Sequence, residues 1–561
     1  MNAITLQNIA QALWMKEYNS SNIPRHILQQ VEGPKNSEHA YAERFLKRLD
    51  QLEADRQSFT PDYDDRYALL RRHCEQKMAM SPREFYASCL FLGLESNLGY
   101  EPVPLEPVFD FPAIDLPQLK KQLGWHFFVG NFTDDAGNHY SVELMFWQYA
   151  MLPPPLAAQL GLSDIENQSL EMHLAICDPQ TSRQYRANTV VAAGTTGLVE
   201  IQAKPFTYRL GRNAIEGLSP NGDLFPVRLR ARGWDMGQTG QTTETSTDVE
   251  IDIDLTLDNP KGYFMQGDKG RLPSIDGLGT LYYSAPLLKL QAGVENAITI
   301  DGKRIVLTGG SMWYDHQWTA GFMPNGAPEH AVLRAAKNLS APSPGGWDWF
   351  ELQFHDDPAG KLDEVQLTFS ALHSADKEAY YWQTGATPPG QMTVPIKGKF
   401  IDALNAVTDI TGSMTVTAWV RNDTSPNPAL YPPTNTWYPA RYAFEIDTAL
   451  PQQRLKKFTL APLIASGQTG FFGTGVQYTE GGAVVRDPGG AEIGRGFAEG
   501  TNWARTTDTV LAAAGLPANA QTRQLMTPVA PSLGLRVVSF VYTLLRQKQL
   551  KEILAQAKGM P

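Results

Sequence analysis

A chain of 561 residues, 42% hydrophobic and 19% charged, has the make-up of a globular protein of more than one domain, not of a disordered or fibrous one. Its formal net charge of -11 and the lack of any basic stripe interleaved with aromatics argue against a nucleic-acid partner, whose phosphates demand clustered Lys and Arg. Three cysteines, Cys74, Cys89 and Cys177, without CxxC spacing suggest neither a disulfide framework nor a zinc site and fit a reducing compartment.

In chain order, the opening MNAITLQNIAQALWMKEYNSSN has no basic segment followed by an apolar run, so no signal peptide is read there. Segments such as EHAYAERFLKRLDQLEADR and SPREFYASCLFLGLES place apolar residues three and four apart, which predicts an α-helical module over 1–105. The run EPVPLEPVFDFPAIDLP, with prolines at 102, 104, 107, 112 and 117, cannot continue a helix and reads as a linker. From about 120 to 505 the apolar period falls to two, and short strands alternate with Gly, Asp, Asn and Pro turns. WHFFVGNFTDDAGNHYSVELMFWQY reads as a hairpin turning at DDAGN. In DVEIDIDLTL, Glu250, Asp252 and Asp254 alternate with Ile251, Ile253 and Leu255, the pattern of a strand with a solvated outer face rather than a calcium loop. So many short strands predict one or two antiparallel barrels or sandwiches. After residue 505 helical spacing returns in WARTTDTVLAAAG and SLGLRVVSFVYTLLRQKQLKEILAQAK. The longest apolar run, from Leu533, carries Arg536 and falls short of the roughly 18 residues a membrane span needs, so a cytoplasmic protein without a transmembrane segment is expected.

The densest chemistry lies in GGSMWYDHQW, residues 309–318. On a strand, Tyr314, His316 and Trp318 share one face, and Trp313, Asp315 and Gln317 the other. No HExxH or His-x-His accompanies the histidine, so no metal is expected, and Ser311 is not in a GxSxG elbow. What remains is acid/base work by His316, with Tyr314 as hydrogen-bond partner and Trp318 as a wall for a developing cation, or else a histidine satisfied in a barrel core. A second cluster, GGWDWFELQFHDD, puts Asp348, Phe350, Leu352 and Phe354 on one face. Between the clusters lie 26 residues, 319–344, that form either a lid or a plain surface excursion.

These clusters, with LDNPKGYFMQGDKG and LGTLYYSAPLLKL before them and TWYPARYAFEI, VQYTEGGAVV and GRGFAEGTNW after them, run in an order that resembles the carotenoid 1,2-hydratase (hydroxyneurosporene synthase) superfamily, which also holds kievitone hydratase and Diels-Alderase-type cyclases. DGKRIVLTGGSMWYDHQW resembles its central signature and GWDWFELQFHD its following strand. Two departures stand out: Thr501, Asn502 and Trp503 replace the closing aromatic-glycine pair, and Gly346 leaves no tyrosine just before Trp347.

The resemblance implies two consecutive lipocalin-like β-barrels, expected at 106–335 and 336–505, between the helical module at 1–105 and C-terminal helices at 506–561. It also implies His316, Trp318 and Asp348 as catalytic residues, with Tyr314, Trp313, Trp347, Phe350 and Trp125 lining the substrate site. The expected activity is a cofactor-independent hydratase or cyclase that protonates a carbon-carbon double bond of an apolar isoprenoid, polyene or polyketide-like substrate. A pericyclase acting by folding its substrate, and an unreactive carrier of an apolar ligand, are the alternatives. The helical ends leave a homodimer interface and a peripheral membrane contact both open.

Overall fold

The computed structural model describes residues 103–150, 154, 163–165, 167–192, 199–235, 249–272, 280–319, 346–354, 364–373, 390–422, 436–464, 469–473, 476–501, 517 and 519. The helical modules expected at 1–105 and 506–561, and the insertion at 319–344, fall almost wholly outside them. The described residues are mainly β, in two antiparallel sheets.

The first sheet begins with β1 (Leu123–Asp134), β2 (His139–Ala150), β3 (Gln168–Asp178), β4 (Arg183–Ala192), β5 (Val199–Gln202), β6 (Thr207–Leu210) and β7 (Asn213–Gly217). It continues with β8 (Val227–Trp234), β9 (Glu250–Asp258), β10 (Phe264–Met265), β11 (Arg271–Leu272), β12 (Thr280–Leu290), β13 (Ala297–Ile300) and β14 (Lys303–Thr319). Its main path runs β4-β3-β2-β1-β14-β12-β9-β8-β7-β6-β5. The sheet curls until β4 meets the end of β8, where Asp235 accepts the Arg186 backbone N–H at 3.0 Å and pairs with Arg183 at 3.3 Å. Phe128, Phe146, Leu174, Tyr208, Leu229, Ile253, Tyr283, Tyr314 and Trp318 belong to the apolar cluster on its inner face.

The second sheet holds β15 (Gly346–Phe354), β16 (Gln366–His373), β17 (Met392–Ile401), β18 (Val407–Asn422), β19 (Thr436–Ile446), β20 (Lys457–Pro462), β21 (Thr469–Gly473), β22 (Val476–Arg486) and β23 (Glu492–Thr501). Pairing of β20 with both β19 and β22 closes eight strands into a barrel and leaves β21 appended to β22. Closure removes the exposed edges that an open antiparallel sheet would present. Phe350, Leu352, Phe369, Phe400, Tyr442 and Phe444 are part of its core.

Local chemistry explains these elements. The β1–β2 hairpin turns where expected, because the Asp134 carboxylate accepts the backbone N–H groups of Ala136 (3.0 Å) and Asn138 (2.8 Å) and Gly137 takes φ +78°. On β9 the outward Glu250 and Asp254 each hold a β8 arginine, Arg232 and Arg228, while Ile251, Ile253 and Leu255 are buried, so the acid row is a cross-strand ion ladder. Gly310, with φ +117°, lies opposite Phe132 beside a shift in the β1–β14 register, and a Cβ there would meet the Asn131 carbonyl at 2.2 Å.

The two sheets pack against each other through a second apolar cluster: Trp125, Phe127, Val129, Met145, Trp147 and Trp313 from the first, Trp349, Ile401 and Phe497 from the other. Trp125 and Trp147 stack at 5.0 Å. Burial on both faces accounts for the nearly continuous apolar run of β1, which period-two alternation alone would not require. Lys261 fastens the packing, donating to the Asp402 carbonyl at 2.6 Å and to Gln366 Oε1 at 2.9 Å.

Candidate active site

Strand register, rather than sequence proximity, assembles the site. On β14, His316 lies opposite His126 of β1 on one side and Tyr283 of β12 on the other, so three side chains form one row across three strands. That row faces the first barrel's interior, with Tyr314 and Trp318 in the rows beside it. The His316 ring stacks on His126 at 4.0 Å and meets Trp318 at 4.7 Å.

The fourth member arrives from the proline-rich run. This segment is no spacer: Val103 is buried, and Phe109, Phe111, Ile114 and Leu116 pack against the core of the first barrel. Phe111 stacks on Tyr263 at 4.5 Å, and Phe109 approaches Trp318 at 6.2 Å and Tyr283 at 5.8 Å. Gly270 makes room for Phe109, whose ring would stand 2.3 Å from any Cβ at that position. A short 3-10 turn, Ala113–Asp115, then directs Asp115 into the interior, where it is 1% exposed. We term residues 103–116 the strap.

Asp115 is hydrogen-bonded to the Tyr283 hydroxyl and, at 3.2 Å, accepts from Tyr263. Its backbone carbonyl takes the Nε2 proton of His126 at 2.7 Å. The Tyr283 hydroxyl also lies 3.0 Å from His316 Nδ1, so one hydroxyl bridges a carboxyl and an imidazole. Burial raises the Asp115 carboxyl to about 7, against the opposing hydrogen bonds of Tyr283 and Tyr263 and with a further push from Asp223. Burial lowers His126 to about 4 and drives His316 well below its ordinary value, His126 adding to the latter shift. Around neutral pH the site therefore holds two neutral imidazoles and one carboxyl that shares its proton between bound and released states.

The sequence-selected residues fall into three places. His316, Trp318 and Tyr314 come together in the first barrel. Trp313 and Trp125 lie on the opposite face of the same strands, in the packing between the sheets. Asp348 is buried on the same face of β15 as Phe350 and Leu352 of the second barrel's core, so its strand face belongs to that barrel and not to the His316 row. Trp347 pairs with Leu372 in β15, and its side chain lies outside the described residues. Sequence reasoning missed Asp115, His126 and Tyr283. One signal was available: a spacer has no need of Phe109, Phe111, Ile114 and Leu116 in so short a run.

The fold and site thus describe a protein of two lipocalin-like β units with a buried carboxyl-tyrosine-imidazole chain in the first. The profile of the AttH-like family matches residues 102–388, more than half of the chain, and the chain belongs to that family. This agrees with the resemblance to the carotenoid 1,2-hydratase-like superfamily. Similar solved structures include an AttH protein from Nitrosomonas europaea, 16% identical with a TM-score of 0.49, the match covering 72% of this chain and 99% of that one. Another is kievitone hydratase from Nectria haematococca, 13% identical with a TM-score of 0.44, covering 74% and 98%. No curated protein matches the sequence. Among the described residues no group of three or more His, Cys, Asp or Glu is placed to hold a metal ion, and no helix is long and apolar enough to cross a membrane.

Proposed function

We propose that the protein is a cofactor-independent hydratase or cyclase that adds a proton to a carbon-carbon double bond of an apolar isoprenoid, polyene or polyketide-like substrate, with His316 and Trp318 at the reacting carbons. The observation that carries this reading is the His316 imidazole 4.7 Å from the Trp318 ring in a buried, aromatic interior. A proton given to one alkene carbon leaves a cation on its neighbour. An indole face stabilises such a cation, by about 2 kcal/mol or more when water is excluded. Water then closes the reaction as hydration, and a second double bond of the same substrate closes it as cyclisation. An apolar wall suits both, since it leaves the cation no other base to find.

The test begins with the full chain as purified. Organic extraction of the protein identifies any apolar ligand it carries, and that ligand is then the substrate offered to wild type, His316→Ala and Asp348→Asn. We expect His316→Ala to lower turnover by about 10²–10⁴-fold, the range of general acid–base catalysis. A ligand that the wild type binds and never converts makes the protein a carrier and refutes the proposal. Turnover unchanged in His316→Ala refutes the assignment of His316. A loss confined to Asp348→Asn would move the acid to the second barrel.

A further inference from the structure

We propose that Asp115 is the proton source for His316, passing its proton through the Tyr283 hydroxyl, so that the strap that covers the first barrel also carries the acid. The inference rests on the reading above for its chemistry, but its geometry is independent of any substrate. Asp115, Tyr283 and His316 come from three separate segments, and the hydroxyl touches both other groups. A tyrosine hydroxyl carries one proton and donates to one acceptor at a time. With Asp115 protonated, its O–H donates to the Tyr283 oxygen and the Tyr283 O–H donates to His316 Nδ1. With Asp115 ionised, Tyr283 turns to the carboxylate and His316 Nδ1 loses its donor.

The proton balance closes. Asp115 gives its proton to the Tyr283 oxygen as Tyr283 gives its own to His316 Nδ1, leaving a carboxylate, an unchanged tyrosine and an imidazolium. His316 Nε2–H then breaks as a new C–H bond forms from the alkene electron pair, and the cation appears on the adjacent carbon. The imidazole is now neutral with its proton on Nδ1 and a lone pair on Nε2. That lone pair accepts the proton released when water adds or when the cyclised cation loses hydrogen. The Nδ1 proton returns through Tyr283 to Asp115, and the site is restored. The carboxylate formed during this cycle also stands as a buried counter-charge to the cation.

Every element around Asp115 fits this role. Among the described residues the titratable groups that face it are Tyr263, Tyr283 of β12, His126 of β1, Tyr314 of β14 and, from the loop after β7, Asp223, none of them a cation that would hold it ionised. Phe109 and Phe111, on the same strap, cover Tyr283 and Trp318 and keep water from the carboxyl.

The experiment combines infrared and ¹⁵N-histidine spectra of the full chain across pH for wild type, Asp115→Asn, Asp115→Glu and Tyr283→Phe. The wild-type minus Asp115→Asn difference should contain a carboxylic-acid carbonyl band that fades as pH rises through about 7, and the His316 Nδ1 resonance should shift with the same midpoint. Tyr283→Phe should keep the band and abolish the shift at His316. Asp115→Glu, which retains the carboxyl should the asparagine variant fail to fold, should retain both with a displaced midpoint. A wild-type difference spectrum without the acid band at about pH 6, where a carboxyl shifted this far stays protonated, or a His316 Nδ1 resonance that ignores both Asp115 and Tyr283, overturns the relay. The two readings also fail separately. A coupled titration in a protein that converts no substrate leaves the relay standing and removes the reaction, whereas wild-type turnover and pH profile in Asp115→Asn leave the reaction and remove the relay.

Discussion

The strand pair β12–β14 presents a buried carboxyl on each of its two faces, and the pair makes a natural comparison. On the inner face Asp115 meets Tyr283, and on the outer face Asp315 meets Tyr282, the next residue of the same strand. Burial raises both carboxyls to about 7. The surroundings differ in what comes next. Asp315 accepts from Tyr282, Ser284 and Trp313 Nε1, and Ser284 in turn accepts from the Gln266 amide, so among the described residues these hydrogen bonds lead to no imidazole. The Tyr283 hydroxyl continues to His316, whose ring stacks on His126 and meets the Trp318 ring. A shifted carboxyl is therefore no indicator of chemistry by itself. What distinguishes the inner one is a route by which its proton can leave.

This contrast can be broken in several places, and the largest effect is expected on the inner face. Replacing His316 by Ala or Tyr283 by Phe should lower turnover by about 10²–10⁴-fold and about 10²-fold respectively, measured as initial rates on the extracted substrate. The second effect concerns Phe350, fully buried in the second barrel's core. Phe350→Ala should cost about 3–5 kcal/mol in denaturant unfolding. A small loss of stability with a large loss of binding would instead make it a substrate wall. Third, Asp315→Ala leaves three donors without an acceptor and should cost about 1–3 kcal/mol while sparing turnover at temperatures where the chain stays folded. Loss of turnover without loss of stability would erase the distinction between the two faces.

The pH dependence of stability provides a subtler check. The folded chain retains the Asp115 proton up to about 7, while the unfolded chain releases it near the ordinary value of 3.8, so between these values the native state binds more protons. The stability contributed by this group is complete at low pH and falls as pH rises through that window, and Asp315 behaves alike. His126 has the opposite sign. Lowered from 6.5 to about 4, it contributes stability that is lost as pH falls through that interval. Unfolding free energies measured across pH should show the first slope weakened in Asp115→Asn and in Asp315→Asn. The smallest effect belongs to the β8–β9 ladder, where a double-mutant cycle on the partly exposed Arg228 and Asp254 should find about 0–1 kcal/mol.

Much of the architecture was legible in the sequence because period-two alternation directly reports which face of a strand is buried. The β1–β2 hairpin, the outward acid row of β9 and the division of β14 into a Tyr314, His316, Trp318 face and a Trp313, Asp315, Gln317 face all follow from that rule, whereas the β8 arginines that pair with the acids do not. The site was legible only on β14. His126 and Tyr283 are brought beside His316 by register, and register depends on pairing partners more than a hundred residues away along β1 or separated by loops along β12, which local pattern cannot supply. Asp115 was hidden for another reason. Prolines correctly excluded a helix in the strap, but exclusion of a helix does not make a segment a spacer, and its aromatic residues carried the information that it docks. Asp348 shows the converse: its strand face was readable, and that face leads to the core of the other barrel.

Solvent-isotope labelling bears most directly on the acid-initiated reaction. Turnover of the extracted substrate in deuterated water by the wild-type chain should place one deuterium at the carbon that receives the proton, with His316→Ala forming no labelled product over the same period. Product formed at the wild-type rate without deuterium would contradict protonation and leave a reaction driven by substrate folding.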